Sequence, residues 1–225
     1  AVCRALRRGF VGLNTTRPIA SLLFLGSTGI GKTELVKIIA ELIFGRRDAV
    51  IRIDMSELSE KHSVARLIGA QPGYVGFEQG GLLTEALRKK PFQVVLFDEM
   101  DKAHPDVLNV LLPLLDEGFL TDTHGRRVSF LNTIVIMTAN PGMHASQRRS
   151  EHSIGFSQDA AINKQESHII EHAKQWISPE LWGRMDANLI FHALSKDEVK
   201  KIVDLQLKNI EKKLCLEKNI IFEWT

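Results

Sequence analysis

Phe24-Leu25-Gly26-Ser27-Thr28-Gly29-Ile30-Gly31-Lys32-Thr33 decides how the rest of the chain is read. It fits G-x-x-x-x-G-K-[ST], directly after the apolar run 22–25 and before the periodic stretch 34–44, and so predicts a strand, a phosphate loop and a helix. Glycines there let successive backbone N–H groups turn inward on a polyphosphate. Lys32 adds a point charge for the β and γ oxygens, and the Thr33 hydroxyl can ligate Mg²⁺. Residues 26–33 (Gly26, Ser27, Thr28, Gly29, Ile30, Gly31, Lys32 and Thr33) are the expected nucleotide contacts, and the helix aims its positive end at the same anion.

Working outward, 50–54 reads as a second strand, followed by Met55-Ser56-Glu57 and a short helical stretch at 64–68. Strand, helix, strand, helix implies right-handed crossovers and a parallel sheet covered by helices on both faces, an α/β fold. Val94-Val95-Leu96-Phe97-Asp98-Glu99 is a wholly apolar strand ending in two carboxylates, as a buried central strand of such a sheet would be. Ligands bind at the carboxyl ends of these strands. Asp98 is therefore placed to hold the Mg²⁺ shell, and Glu99 to orient and deprotonate an attacking water. Beyond them a helix is expected at 105–117, with Pro105 at its start and a kink at Pro113. An exposed hairpin at 118–130 turning at His124-Gly125 and a buried strand at 134–138 leading to Asn140 follow.

The 225 residues carry 29 Lys+Arg against 27 Asp+Glu, with the basic pairs scattered, so no continuous stripe argues for a nucleic-acid partner. The two cysteines, Cys3 and Cys215, form neither a disulfide framework nor a metal knuckle, which points to a reducing compartment such as cytoplasm or an organelle matrix or stroma. No apolar run reaches transmembrane length, so no membrane partner is expected. The chain starts at Ala1 without Met and stops after the strand-like 219–223; it reads as a piece cut at both ends. Val2, Leu6 and Phe10 share a face of an amphipathic first helix whose arginines form a solvated face.

Two stretches stay open on the residues alone. Gln71-Pro72-Gly73-Tyr74-Val75-Gly76-Phe77 is either a mobile tip offering an aromatic ring or a surface turn whose Tyr74 tucks back onto the domain. His168-Ile169-Ile170-Glu171-His172 fits H-x-x-E-H on a helix expected at 163–176, the spacing of a zinc peptidase, but no third ligand sits in a supporting motif. Two histidines at i,i+4 on an amphipathic helix are the plainer reading.

From residue 17 to residue 140 nearly every segment is similar to the second ATPase module of the Clp unfoldases of the AAA+ superfamily. The residues that carry this are Arg52-Ile53-Asp54-Met55-Ser56-Glu57, His62-Ser63-Val64-Ala65-Arg66-Leu67-Ile68-Gly69-Ala70, Gly73-Tyr74-Val75-Gly76, Leu96-Phe97-Asp98-Glu99 and Lys102-Ala103-His104-Pro105-Asp106. The resemblance implies an ATP-hydrolysing homo-hexamer in which Tyr74 and Val75 line a central pore and grip unfolded protein substrates. It also implies that Asn140 senses the γ-phosphate beside the attacking water. Pro179-Glu180-Leu181-Trp182-Gly183-Arg184-Met185-Asp186 resembles the family's Pro-Glu-Phe-x-Asn-Arg-hydrophobic-Asp box, which makes Arg184 the arginine finger that reaches a neighbour's γ-phosphate. Gly183 stands where the family has Asn, and Phe119 where it usually has Arg.

Ser153-Ile154-Gly155-Phe156, in a loop expected at 141–159, resembles the loop by which ClpA and ClpC members dock a ClpP-like peptidase, through Ile154, Gly155 and Phe156. Residues 77–84 also look closer to ClpA than to the disaggregase ClpB. A last strand at 189–191 closes the large ATPase domain, residues 1–194, and the helix starting near Ser195 opens a truncated small lid domain, residues 195–225. The expected function is ATP-driven unfolding and translocation of polypeptide, delivered to a ClpP-like peptidase. The alternatives are a stand-alone Clp disaggregase or an AAA+ ATPase that remodels nucleic-acid complexes. Tyr74 between glycines favours a peptide track, because phosphate contacts would ask for basic residues in that loop.

Overall fold

The computed structural model describes residues 2–12, 16–74, 77, 80–140 and 158–218, without side chains at 158–165, 213 and 216–218. Val75 and the 141–157 segment that carries Ile154, Gly155 and Phe156 lie outside the described residues.

Six consecutive buried residues, Ala20–Leu25, form β1, and the equally buried Ile134–Ala139 forms β6 beside it. With β2 (Val50–Asp54), β3 (Val94–Asp98) and β7 (Ala187–Ile190) they make a five-stranded sheet in the order β2-β3-β6-β1-β7. Every pairing is parallel, with Leu25 opposite Ala139, Phe97 opposite Met137 and Asp54 opposite Asp98. The strand runs are continuous in hydrophobicity because both faces are covered, and alternate residues serve different cores. Leu22, Phe24, Leu96 and Ile136 pack into one cluster with α1 (Val2–Phe10) and α2 (Lys32–Phe44). Leu23, Leu25, Phe97 and Met137 pack into the other, which takes in α4 (Leu82–Lys89) and α5 (Pro105–Glu117) together with α3 (Val64–Ile68).

Differences from the sequence reading sit mostly at element ends, where local signals are weakest. The last large-unit strand is Ala187–Ile190 rather than 189–191, and the helix α6 begins at Gln158 and runs to Trp176. The helix α5 runs through Pro113 to Glu117, the bounds the sequence reading gave it, and is capped by the left-handed Gly118. A short helix α7 (Pro179–Gly183), capped by the Ser178 hydroxyl, was not anticipated. The chain divides into compact units 1–191 and 192–225. The second consists mainly of α8 (Lys196–Lys218), where Ser195 and Glu198 form a reciprocal capping box.

The hairpin of β4 (Phe119–Thr121) and β5 (Arg127–Ser129) turns through a buried acid. Asp122 accepts from the His124 N–H at 2.9 Å, the Arg126 N–H at 2.8 Å and Arg126 Nε at 2.7 Å, and Arg126 reaches Glu85 on α4 at 3.0 Å. Burial raises the Asp122 carboxyl pKa, but these donors outweigh it and leave it below the ordinary value. A depressed pKa contributes stability that is present above the unfolded value, about 4, and lost as pH falls through the folded one. Asp122→Asn should therefore lower the thermal midpoint near neutrality and flatten its fall below about pH 4; an unchanged profile between pH 2.5 and 7 would remove Asp122 from the hairpin's support.

Candidate nucleotide site

Parallel register brings the carboxyl ends of β1, β3 and β6 to one edge, where a cleft of about 380 Å³ opens between the phosphate loop and the two carboxylates. The loop's shape is set by glycine. Gly26, at φ 148°, has Phe191 O 2.6 Å from where a Cβ would stand, so no larger residue fits against the Phe191 backbone. Gly29 and Gly31, at φ 81° and 97°, instead face open space, as a backbone cradle for a polyphosphate requires. Lys32 and Thr33 open α2 and line the cleft with Asp98, Glu99 and Asn140.

Charges in the cleft are held by neighbours that periodicity could not identify. Lys32 Nζ donates to Ser27 O at 3.0 Å and also to Gly26 O. Burial lowers its pKa, opposed by the nearby Asp98, Asp101 and Glu99. Arg52 from β2 grips Asp98 Oδ2 with Nε at 2.9 Å and a terminal nitrogen at 2.7 Å. Thr138 on β6, only 1% exposed, donates its hydroxyl to Asp98 Oδ1 and accepts the Glu99 N–H at 3.1 Å, so a single oxygen fixes both carboxylate-bearing residues. Glu99 is the one non-glycine residue with positive φ among the described residues, at φ 59° and ψ 48°. Such a conformation costs about 1 kcal/mol and turns the side chain out of the strand line toward the cleft. Asn140 donates its N–H to Asp101 Oδ1 at 3.1 Å, which ties β6 to the turn after Glu99.

The remaining candidates lie elsewhere. Tyr74 is 71% exposed, so it does not tuck onto the domain. Beyond it Phe77 stacks on His124 of the hairpin, centroids 4.3 Å apart. Arg184, just after α7, does not pair with Asp186, whose carboxylate instead accepts the Ser21 N–H at 2.8 Å. Its Nε lies 2.5 Å from Asp116 Oδ1 as a charge contact without hydrogen-bond alignment, and its other nitrogens meet Glu180 O at 2.8 Å and Glu180 Oε1 at 3.1 Å. The Arg184 guanidinium holds the Asp116 carboxyl below its usual range. His168, Glu171 and His172 join no group able to hold a metal ion among the described residues. Among the described residues the H-x-x-E-H spacing is not accompanied by a third ligand, so two histidines on one helix face stay the plainer reading.

Residues 17–188 match the family profile "AAA domain (Cdc48 subfamily)". The chain belongs to that family. It is 49% identical to the chaperone protein ClpB of Aquifex aeolicus, over all of this chain and 22% of that protein. It is 48% identical to the chloroplastic chaperone protein ClpC of Pisum sativum, over 95% of this chain and 24% of that one. Among solved structures, a closed-state reconstruction of Hsp104 with ATPγS and FITC casein superposes with a TM-score of 0.80 at 43% identity, over 94% of this chain and 35% of that chain. The chain thus spans about a quarter of the length of these ClpB and ClpC relatives. It is a Clp-type AAA module, a nucleotide-binding ATP hydrolase by family.

Thr138 and Arg52 are the functional neighbours that sequence reasoning missed in this AAA module. Their signals were present: Thr138 is a buried hydroxyl in an otherwise apolar strand, and Arg52 a charge inside β2. Thr138→Val keeps the shape and removes both bonds, leaving the Glu99 N–H and one Asp98 oxygen unmatched. Its ATP hydrolysis should fall at least about tenfold in kcat, the size of one or two lost hydrogen bonds. Steady-state turnover checks this, and a kcat within twofold of the parent would show that Thr138 does not organise the carboxylates.

Proposed function

We propose that this module hydrolyses Mg-ATP within a hexameric ring and uses the cycle to pull polypeptide through the ring's centre. The observation that carries the reading is the convergence of the phosphate loop, Asp98, Glu99 and Asn140 on one cleft at the carboxyl edge of the sheet. The Thr33 hydroxyl and Asp98 carboxylate are hard oxygen donors on the same cleft, a set that suits Mg²⁺. When bound there, Mg²⁺ supplies charge neutralisation across the β and γ oxygens of ATP.

Lys32 leaves the loop carbonyls for the phosphates, a modest exchange because its burial already disfavours the charge where it sits. Backbone N–H groups of residues 26–33 hold the polyphosphate. Glu99 accepts the proton of the attacking water while the Asn140 side chain orients that water and the γ-phosphate. Arg184 acts on a neighbouring subunit's γ-phosphate, exchanging Asp116 and Glu180 for the phosphate oxygens. Tyr74, exposed between glycines, together with Val75, grips unfolded polypeptide in the pore. Residues 195–225 form the opening of a small lid domain.

Polypeptide rather than nucleic acid is the substrate this reading favours, since Tyr74 has no basic neighbour in Gln71-Pro72-Gly73-Tyr74 to hold a phosphate backbone. The similarity to ClpB and Hsp104 supports a chaperone that works without a peptidase. Delivery to a ClpP-like peptidase is the second reading, and Ile154-Gly155-Phe156 is the sequence that favours it.

The test uses the complete, assembled protein. Glu99→Gln should retain ATP binding while losing hydrolysis at this site, and Tyr74→Ala should retain hydrolysis while losing unfolding of a tagged substrate. Undiminished unfolding by Tyr74→Ala would remove it from the substrate track. Arg184→Ala and Lys32→Ala chains should each be inactive alone yet regain hydrolysis in verified mixed rings, since one supplies a phosphate loop and the other a finger. Absence of recovery in such rings would show that Arg184 does not act between subunits. Adding a ClpP-like peptidase separates the two readings: degradation that requires Ile154 and Phe156 supports delivery, and unfolding without degradation supports the stand-alone chaperone.

A further inference from the structure

The turn after β3 carries a lysine to which the nucleotide site gives no task. Lys102 Nζ lies 2.5 Å from Glu99 Oε2, and its backbone N–H donates to Glu99 O at 3.0 Å. The Glu99 main chain is thus pinned on both sides, by the Thr138 hydroxyl ahead and by the turn Met100–Lys102 behind. Those bonds fix the backbone and leave the rotamer freedom of the side chain to be restrained by something else. Lys102 is the one side chain that hydrogen-bonds the Glu99 carboxylate among the described residues, and it takes only Oε2. The same turn holds Asp101 on the Asn140 N–H at 3.1 Å, so one turn connects the Glu99 carboxylate to Asn140.

We infer that Lys102 is a positioning residue for ATP hydrolysis, holding the Glu99 carboxylate by one oxygen so that the other faces the attacking water. This rests on the reading of Glu99 as the general base. In the assisted step a water O–H bond breaks and its proton goes to Glu99 Oε1. The water oxygen bonds to the γ-phosphorus, and the bond from that phosphorus to its bridging oxygen breaks, its electron pair leaving with ADP. A lysine 55% exposed on its side chain adds little to folding as an ion pair, so its effect should appear in turnover rather than in stability. The opposite possibility is that the pair parks Glu99 away from water. It predicts faster hydrolysis when Lys102 is removed.

Steady-state hydrolysis by the complete, assembled protein decides, taken as activity above the floor left by Glu99→Gln. Lys102→Met should lower kcat about tenfold, with KM for ATP, nucleotide affinity and the thermal midpoint unchanged, the split expected when only the transition state loses an orienting contact. Lys102→Arg should recover most of the loss because a guanidinium still reaches the carboxylate. Adding Lys102→Met to Glu99→Gln should cause no further loss. Unchanged or faster turnover in Lys102→Met, with Glu99→Gln inactive, overturns the inference alone. So do a parallel loss of affinity and thermal stability, or no recovery with Arg. Retained hydrolysis in Glu99→Gln overturns the general-base reading first, and the inference with it.

Discussion

Parallel pairing of β6 between β1 and β3 is the constraint on which the rest depends. Each strand ends in something different: β1 in the phosphate loop, β3 in Asp98 and Glu99, β6 in Thr138 and Asn140. Only a register that sets Leu25 against Ala139 and Phe97 against Met137 brings those three ends level. A shift of one residue would turn Thr138 to the other face and leave a buried hydroxyl without its carboxylate. Hydrophobic burial on both faces enforces the register, because alternate strand residues belong to separate cores and neither can be exchanged for the other.

Within that frame, the charged side chains around the cleft are paired with neighbours. Arg52 answers Asp98, Lys102 answers Glu99, Asp101 holds Asn140, and Lys32 rests on loop carbonyls. Charged groups brought together without such partners would carry a desolvation cost of several kcal/mol. Arg184 is likewise paired, with Asp116 and Glu180. The hairpin offers a mechanical counterpart. Asp122 and Arg126 fasten it to α4, and His124 stacks on Phe77, three residues after the exposed Tyr74.

The sequence by itself determined the elements and the chemistry. An eight-residue phosphate-loop pattern flanked by an apolar run and a periodic one leaves little freedom, and a strand of pure hydrophobicity that ends in two carboxylates reads as central and ligand-bearing. Local spacing suffices because backbone geometry converts it directly into strand, loop and helix. The tertiary structure decided who touches whom. Thr138 lies 40 positions from Asp98, Arg52 lies 46 from it, and Asp116 is far in sequence from Arg184. Such pairs follow from strand register and helix placement, which no one-dimensional period encodes.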